Sequence, residues 1–219
     1  KEVKSQLDKL IDSKKLYAVR SSCTKEDLGD SSFAGQYQSF LFTEAKDIER
    51  RIVDCYKSTY NQNIVAYCRQ NHIKLSSLKM SVVVQEMIDS DYSGICFTVN
   101  PTTGNDKEML IEVAEGIGEE IVSGHNAPEQ YFYSWYNHYA KFDGNNQILD
   151  KAKLKELGKT FAKIQLHFGF PCDIEFALKD EELYILQARK ITKIFYVDYD
   201  DVWTTADFKD GGVSATVCT

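Results

Sequence analysis

The sequence has little of several features that mark particular protein classes. Its six cysteines include no C-x-x-C pair, it has only three prolines, and it contains no run of 18 apolar residues. Scattered cysteines in a chain of 219 residues indicate reduced thiols rather than a disulfide framework or a zinc site. A net charge of −7 and the lack of a basic stripe argue against a nucleic-acid partner. We therefore expect a cytoplasmic protein with neither a membrane nor a nucleic acid as partner.

What is present is typical of a soluble globular domain. Hydrophobic residues make up 43% of the chain and charged residues 27%. Helical periodicity is found at residues 1–13, 44–71 and 151–169. The second stretch, with Thr43 as a predicted N-cap, is one helix or two helices broken near Asn61, and the third is predicted to begin at an Asp150 cap and to end at Gly169. Runs with a period of two alternate with short turns, as in KMSVVVQEMI, SGICFTVN and EMLIEVA. The pattern predicts an α+β fold with a mostly antiparallel sheet flanked by helices.

The region from Tyr17 to Leu41 combines groups that bind anions. A short apolar run leads to Arg20, followed by hydroxyl residues and by the small-residue segment Ser31–Gln36, which contains Gly35. A guanidinium binds oxygens in a fork, hydroxyl and backbone N–H groups donate hydrogen bonds, and glycine permits close approach of the backbone. The alternative is an ordinary exit from a strand into a loop, with one surface arginine.

The hairpin CDIEFALKDEELYILQARK, residues 172–190, offers a second candidate site. With a three-residue turn at residues 180–182, Glu175 lies opposite Gln187, and Asp173 lies opposite Arg189, on one polar face. A carboxylate beside an amide oxygen provides hard ligands suited to Mg²⁺ shared with phosphates, and Arg189 then faces the phosphate charge. The alternative is a solvated polar face on an edge hairpin.

Two further segments have a functional and a structural interpretation. The strand Val82–Ile88 is apolar and then becomes polar, so it can offer an apolar shelf to an adenine edge, or it is simply a buried strand. Gly116 and Gly118 bracket a predicted helix start that can present N–H groups to a phosphate, but the spacing G-x-G is a weak signal.

Taken in order, these pieces resemble the ATP-binding domain of the phosphoenolpyruvate synthase and pyruvate phosphate dikinase family. The resemblance is carried by AVRSSCTKEDLGDSSFAGQYQSFL, VVVQEMIDSDYSGICFTVNPTTG, IEVAEGIGEEIVSGHNAPEQYFY and DIEFALKDEELYILQARKIT. It implies an ATP-grasp-like fold over residues 1–195, with residues 196–219 as a linker or arm toward a following domain. It also implies that the protein splits ATP with Mg²⁺ and transfers a phosphoryl group to a histidine on a separate domain, and ultimately to pyruvate.

The resemblance assigns roles to particular residues. Arg20 and Arg189 correspond to phosphate-binding arginines with a catalytic role, and Glu175 and Gln187 to the Mg²⁺ ligands. The implied nucleotide-binding positions are Arg20, Gly35, Gln36, Glu86, Met87, Ile88 and Arg189. The implied partners are ATP and, in the full-length chain, a phosphohistidine domain and a pyruvate-binding domain.

The sequence also departs from the family pattern. No G-G-K-G segment precedes Arg20, so we expect the first lobe to be incomplete and the chain to be an inactive fragment of a longer phosphotransferase. Cys23 stands where the family usually has alanine, Phe176 where it has tryptophan, and Lys190 where it has proline. Two alternatives stay open: a non-catalytic nucleotide-binding or interaction module, and the ATP domain of a rifampicin-type antibiotic phosphotransferase.

Overall fold

The computed structural model describes residues 6–7, 9–23, 27–28, 31–32, 38–118, 128–137, 140–143, 147–191 and 194. It has α+β architecture with antiparallel sheets and few helices, consistent with the predicted ATP-grasp-like fold. The strands are β1 Leu16–Cys23, β2 Asp27–Leu28, β3 Ser31–Ser32, β4 Ser39–Glu44, β5 Met80–Glu86, β6 Tyr92–Phe97, β7 Met109–Glu115, β8 Glu129–Tyr133, β9 Ala140–Asp143, β10 Cys172–Lys179 and β11 Glu182–Lys190. The α-helices are α1 Ile48–Ser58, α2 Gln62–Gln70 and α3 Lys151–Phe168, with short 3₁₀ turns at Ala45–Asp47 and Leu75–Ser77.

The described chain divides into two compact units. The first comprises Lys1–Gly94, Ala114–Ala127 and Glu175–Gln187, and the second comprises Ile95–Val113, Pro128–Ile174 and Ala188–Thr219. A three-stranded sheet has the order β4-β1-β5, a six-stranded sheet the order β11-β10-β6-β7-β8-β9, and β2 and β3 form a separate pair.

In the first unit, β1 is the central strand of its sheet. It pairs antiparallel with β4 on one side and with β5 on the other, and Arg20 lies opposite Ser39 and Val83. Alternate β1 side chains enter a core in which Tyr17 and Val19 pack with Ile48 and Cys55 of α1. The backbone around Arg20 is therefore paired with a neighbouring strand on each side, and β1 packs against α1 on one face.

In the second unit, α3 follows the predicted pattern closely. Asp150 caps its N-terminus by accepting a hydrogen bond from the Lys153 N–H at 2.7 Å, and Gly169 ends it in the left-handed conformation at φ 73°. Its buried residues, Leu154, Leu157, Gly158 and Phe161, face a core that includes the fully buried Tyr131 and Tyr133 of β8. A Cβ added at Gly158 would lie 2.2 Å from the Tyr133 ring, so this position requires glycine.

The structure corrects several local predictions. The stretch after residue 44 is two helices separated at Asn61, the second of the two alternatives. Thr43 is not an N-cap: it belongs to β4, is buried, and donates its hydroxyl to the Phe40 carbonyl, while α1 begins only after Asp47. Strand β9 was not predicted, because its residues, Ala-Lys-Phe-Asp, make too short a run to show a period of two.

No helix in the described part of the chain is both long enough and apolar enough to cross a bilayer. Five of the six cysteines lie in the described ranges, and all five are buried thiols. Burial raises the pKa of the Cys55, Cys96 and Cys172 thiols above the ordinary value, so these groups stay protonated at neutral pH.

Candidate functional site

One nitrogen of Arg20 bridges the two oxygens that were predicted to bind a metal. Its Nη2 donates to Glu175 Oε2 at 3.0 Å and to Gln187 Oε1 at 2.7 Å. The two partners are 155 and 167 residues away along the chain. All three residues belong to the first unit. The structure therefore brings together three of the predicted site residues around a single hydrogen-bonding nitrogen.

The Arg20–Glu175 pair is partly open to solvent. The side chain of Arg20 is 26% exposed and that of Glu175 is 31% exposed. A fully buried pair would have no room for a ligand, and a fully exposed pair would be weakened by water and salt. Partial exposure leaves both groups accessible to an incoming anion or cation while the strands keep their positions.

The side-chain oxygens of Glu175 and Gln187 are of the chemical type that Mg²⁺ prefers, but these two oxygens alone are too few to fill its coordination shell. A carboxylate and an amide oxygen are hard ligands, and both already converge on one cationic group. Within the described ranges, however, no cluster of three or more His, Cys, Asp or Glu side chains is placed to hold a metal ion. A Mg²⁺ ion here would need oxygens from phosphates and water to complete its shell, which is how magnesium is commonly bound with nucleotides.

The hairpin turn is shorter than predicted. Strand β10 ends at Lys179 and β11 begins at Glu182, so the connection has two residues, Asp180 and Glu181, rather than three. Both have positive φ, 49° and 63°, as a type I′ turn requires, and this turn matches the right-handed twist of paired strands. The predicted turn was wrong, so the register counted from it no longer places Glu175 opposite Gln187, but both side-chain oxygens accept a hydrogen bond from Arg20 Nη2.

Arg189 has a different environment, in the second unit. Its Nε and Nη2 both lie close to Asp173 Oδ2, at 2.9 Å and 2.8 Å, and the Asp173 side chain is only 12% exposed. The sequence interpretation assigned Asp173 no role. A buried carboxylate that binds two guanidinium nitrogens orients the arginine side chain.

The segment predicted to hold adenine lies at the end of β5. The Glu86 carboxylate forms an ion pair with Lys15 Nζ at 2.7 Å, and the Met87 N–H donates to the Leu16 carbonyl at 2.9 Å. The hydrogen bond to Glu86 raises the pKa of Lys15. Ile88 is half-buried. The segment is thus anchored to the start of β1 in the first unit, while Gly35 and Gln36 fall outside the described residues.

Two residues near the site had no assigned role in the sequence interpretation. Lys15 was not considered, because an exposed lysine before a strand gives no signal of its partner. Gln85, the first polar residue after the apolar run of β5, donates from its Nε2 to the Leu186 carbonyl of β11 at 3.1 Å. This hydrogen bond ties the backbone of β11, one residue before Gln187, to the strand that carries Glu86.

Comparison with known proteins adds independent information. The family profile described as "Pyruvate phosphate dikinase, AMP/ATP-binding domain" matches residues 1–139 and 136–196. A probable phosphoenolpyruvate synthase of Methanothermobacter thermautotrophicus is 34% identical over 206 residues, which cover 81% of this chain and 30% of the relative.

Two other relatives are phosphotransferases. The uncharacterized phosphotransferase YvkC of Bacillus subtilis is 32% identical over 218 residues, 88% of this chain and 26% of the relative. The rifampicin phosphotransferase of Bacillus cereus is 32% identical over 204 residues, 82% of this chain and 24% of the relative. The chain spans roughly a quarter to a third of the length of these relatives.

Proposed function

Because the chain belongs to the pyruvate phosphate dikinase AMP/ATP-binding domain family, we propose that it binds ATP together with Mg²⁺. The observation that carries this proposal is the convergence of Arg20 Nη2 on Glu175 Oε2 and Gln187 Oε1. A cation and two hard oxygens at one place suit the combined charge of a triphosphate and its metal ion. A purely structural ion pair has no need of the neutral amide oxygen.

In this proposal each residue has a distinct task. Arg20 and Arg189 bind phosphate oxygens through their guanidinium groups, and Glu175 and Gln187 hold the metal ion. The segment Glu86–Ile88 lies against the adenine. Bound Mg²⁺ would neutralise charge on the phosphates during transfer. The remaining contribution of the protein is positional and electrostatic, as is usual for phosphoryl transfer.

For the longer polypeptide we propose a phosphotransferase that splits ATP and transfers a phosphoryl group to a histidine on a separate domain. The final acceptor of this phosphoryl group is pyruvate. The names of the synthase relatives support this acceptor. Rifampicin is a second candidate acceptor, since a rifampicin phosphotransferase is also about one-third identical to the chain over a similar span. Assays of the full-length protein for pyruvate-dependent and for rifampicin-dependent ATP consumption distinguish the two.

Calorimetric titration of the 219-residue chain with ATP, with and without Mg²⁺, tests the binding step. We expect Mg²⁺-dependent binding that weakens about 100-fold in Arg20→Ala, because a charge-assisted contact to phosphate is lost. Arg50→Ala is the matched control: it removes the same charge from an exposed α1 position where Arg50 pairs only with Asp47, at 3.3 Å, among the described residues. Equal affinities in the three proteins would contradict the assignment of Arg20, and no binding at all would favour the non-catalytic module.

A further inference from the structure

Asp91, just before β6, joins three segments of the first unit. Its carboxylate accepts a hydrogen bond from Lys179 Nζ at 3.0 Å through Oδ1, and one from the Asp180 N–H at 2.8 Å through Oδ2. Its own N–H donates to the Leu178 carbonyl at 2.9 Å, and its carbonyl accepts from the Gly116 N–H at 2.9 Å. Every polar backbone and carboxylate atom of Asp91 therefore makes a hydrogen bond.

Three of these hydrogen bonds hold the tip of the β10–β11 hairpin. The turn residues Asp180 and Glu181 both adopt positive φ, a conformation that glycine, asparagine and aspartate occupy more readily than other residues, so Glu181 is the unusual one. Such a turn needs support from outside itself. Asp91 Oδ2 supplies it by accepting the N–H of Asp180, the first of the two turn residues.

The remaining contacts hold the glycine-rich segment after β7. Gly116 also has positive φ, 82°, and its carbonyl accepts a hydrogen bond from the Ser90 hydroxyl at 3.0 Å. Ser90 and Asp91 together therefore bind both polar backbone atoms of Gly116. These two hydrogen bonds fix the backbone of Gly116.

Two of the three segments that meet at Asp91 lead to parts of the candidate site. Ile88 lies three residues before Asp91 along the chain, Glu175 and Gln187 are carried by the hairpin, and Gly116 opens the glycine-rich segment. We propose that Asp91 is a positioning residue for the ATP and Mg²⁺ site, an inference that rests on the proposed function. Asp91 acts by holding the hairpin, and with it the metal-ligand oxygens, in register with the adenine segment.

Aspartate suits this position for a chemical reason. Its two carboxylate oxygens accept from two different donors at the same time, whereas asparagine has a single acceptor and would direct its NH₂ group at one of them. Alanine keeps only the two backbone hydrogen bonds. We expect the support of the hairpin to decrease in the order aspartate, asparagine, alanine.

The experiment measures the hairpin and the ligand separately. Hydrogen exchange of the ligand-free chain should show amides at residues 178–184 exchanging about tenfold faster in Asp91→Ala, with an intermediate rate in Asp91→Asn. Calorimetry should show the dissociation constant for Mg-ATP rising about tenfold in Asp91→Ala, and less for ATP in EDTA, since the hairpin carries the metal ligands.

Two variants serve as controls. Asp89→Ala removes an exposed carboxylate 4.0 Å from Lys179 Nζ and should change neither measurement. Asp150→Ala removes the cap of α3 in the second unit, so it should lower the thermal midpoint without changing hairpin exchange or Mg-ATP affinity.

The outcomes separate this inference from the proposed function. Faster exchange at the hairpin with an Mg-ATP affinity within twofold of the unsubstituted chain would overturn the positioning role. Unchanged exchange in Asp91→Ala would overturn it as well. If the unsubstituted chain binds no Mg-ATP, both the proposed function and the positioning role fail, and the exchange data then show only whether Asp91 holds the turn.

Discussion

The two arginines assigned to phosphate contacts are held in different ways. Arg20 shares one nitrogen between a carboxylate and a neutral amide, and its carboxylate partner is 31% exposed. Arg189 places two nitrogens on a single oxygen of Asp173, whose side chain is only 12% exposed. The contact of Arg20 is open and easily exchanged for a ligand, whereas the contact of Arg189 fixes the orientation of its side chain. The difference separates an arginine suited to respond to a ligand from one that is oriented in advance.

The largest effect should come from removing Asp173, the less exposed of the two carboxylates. Asp173→Ala should lower the free energy of unfolding by about 2 kcal/mol, because a guanidinium loses a buried, doubly bonded carboxylate. Arg20→Ala should lower it by less than about 1 kcal/mol, since its ion pair is partly exposed. Urea denaturation followed by circular dichroism measures both values. Equal losses in the two variants would remove the distinction between the pairs.

A smaller effect is expected from removing the charge of Glu175, the carboxylate partner of Arg20. Glu175→Gln keeps the size of the side chain but removes the charge, so Mg-ATP binding should weaken about tenfold while ATP binding in EDTA stays the same. Glu156→Gln, on the exposed face of α3, is the control for the loss of one negative charge. Calorimetry at fixed ionic strength provides the comparison. An equal loss with and without Mg²⁺ would argue against a metal-ligand role for Glu175.

Salt should also distinguish the two arginines. A double-mutant cycle for Arg20 and Glu175 should give a coupling free energy of about 0.5–1 kcal/mol that falls as sodium chloride is added, because partly exposed charges are screened. The cycle for Arg189 and Asp173 should keep most of its coupling, because Asp173 is shielded from solvent. The same salt dependence in both cycles would contradict the difference in burial.

The smallest effect concerns a third ion pair, between Asp91 and Lys179, whose side chains are partly exposed like those of Arg20 and Glu175. Hydrogen bonds from the Asp180 N–H and from Lys179 lower the pKa of Asp91 below its ordinary value of 3.8. The ionised Asp91 carboxylate therefore stabilises the folded chain fully at pH values above the pKa that Asp91 has in the unfolded chain. This stabilisation is lost as the pH falls through the lower pKa that Asp91 has in the folded chain. The stability difference between the unsubstituted chain and Asp91→Asn should be constant at neutral pH and shrink in acid. A difference that grows on acidification would contradict this sign. The charged groups near Asp91, namely Asp89 and Lys179, are the same in both proteins.

Much of the local structure could be predicted, but the exact turns could not. The Asp150 cap, the apolar face of α3 and the terminating Gly169 are signals between near neighbours, and the helix has these ends. Thr43 carried an equally good capping signal, but pairing of β4 with β1 kept it in a strand. The hairpin turn was predicted one residue too long because glutamate is unusual at positive φ, and because the hydrogen bond to the Asp180 N–H comes from Asp91, which is far away in sequence.

The sequence by itself determined the family and the α+β class, because motif order and strand alternation are properties of the chain read in one direction. Only the tertiary structure decided which cation meets the side-chain oxygens of Glu175 and Gln187. Arg20 reaches them across 155 and 167 residues, from a strand of a different sheet, and no local pattern encodes these contacts. Arg189 meets Asp173 across only 16 residues, within one hairpin. The tertiary structure added that Asp173 is enclosed and Glu175 is open, since burial depends on every element packed around a side chain.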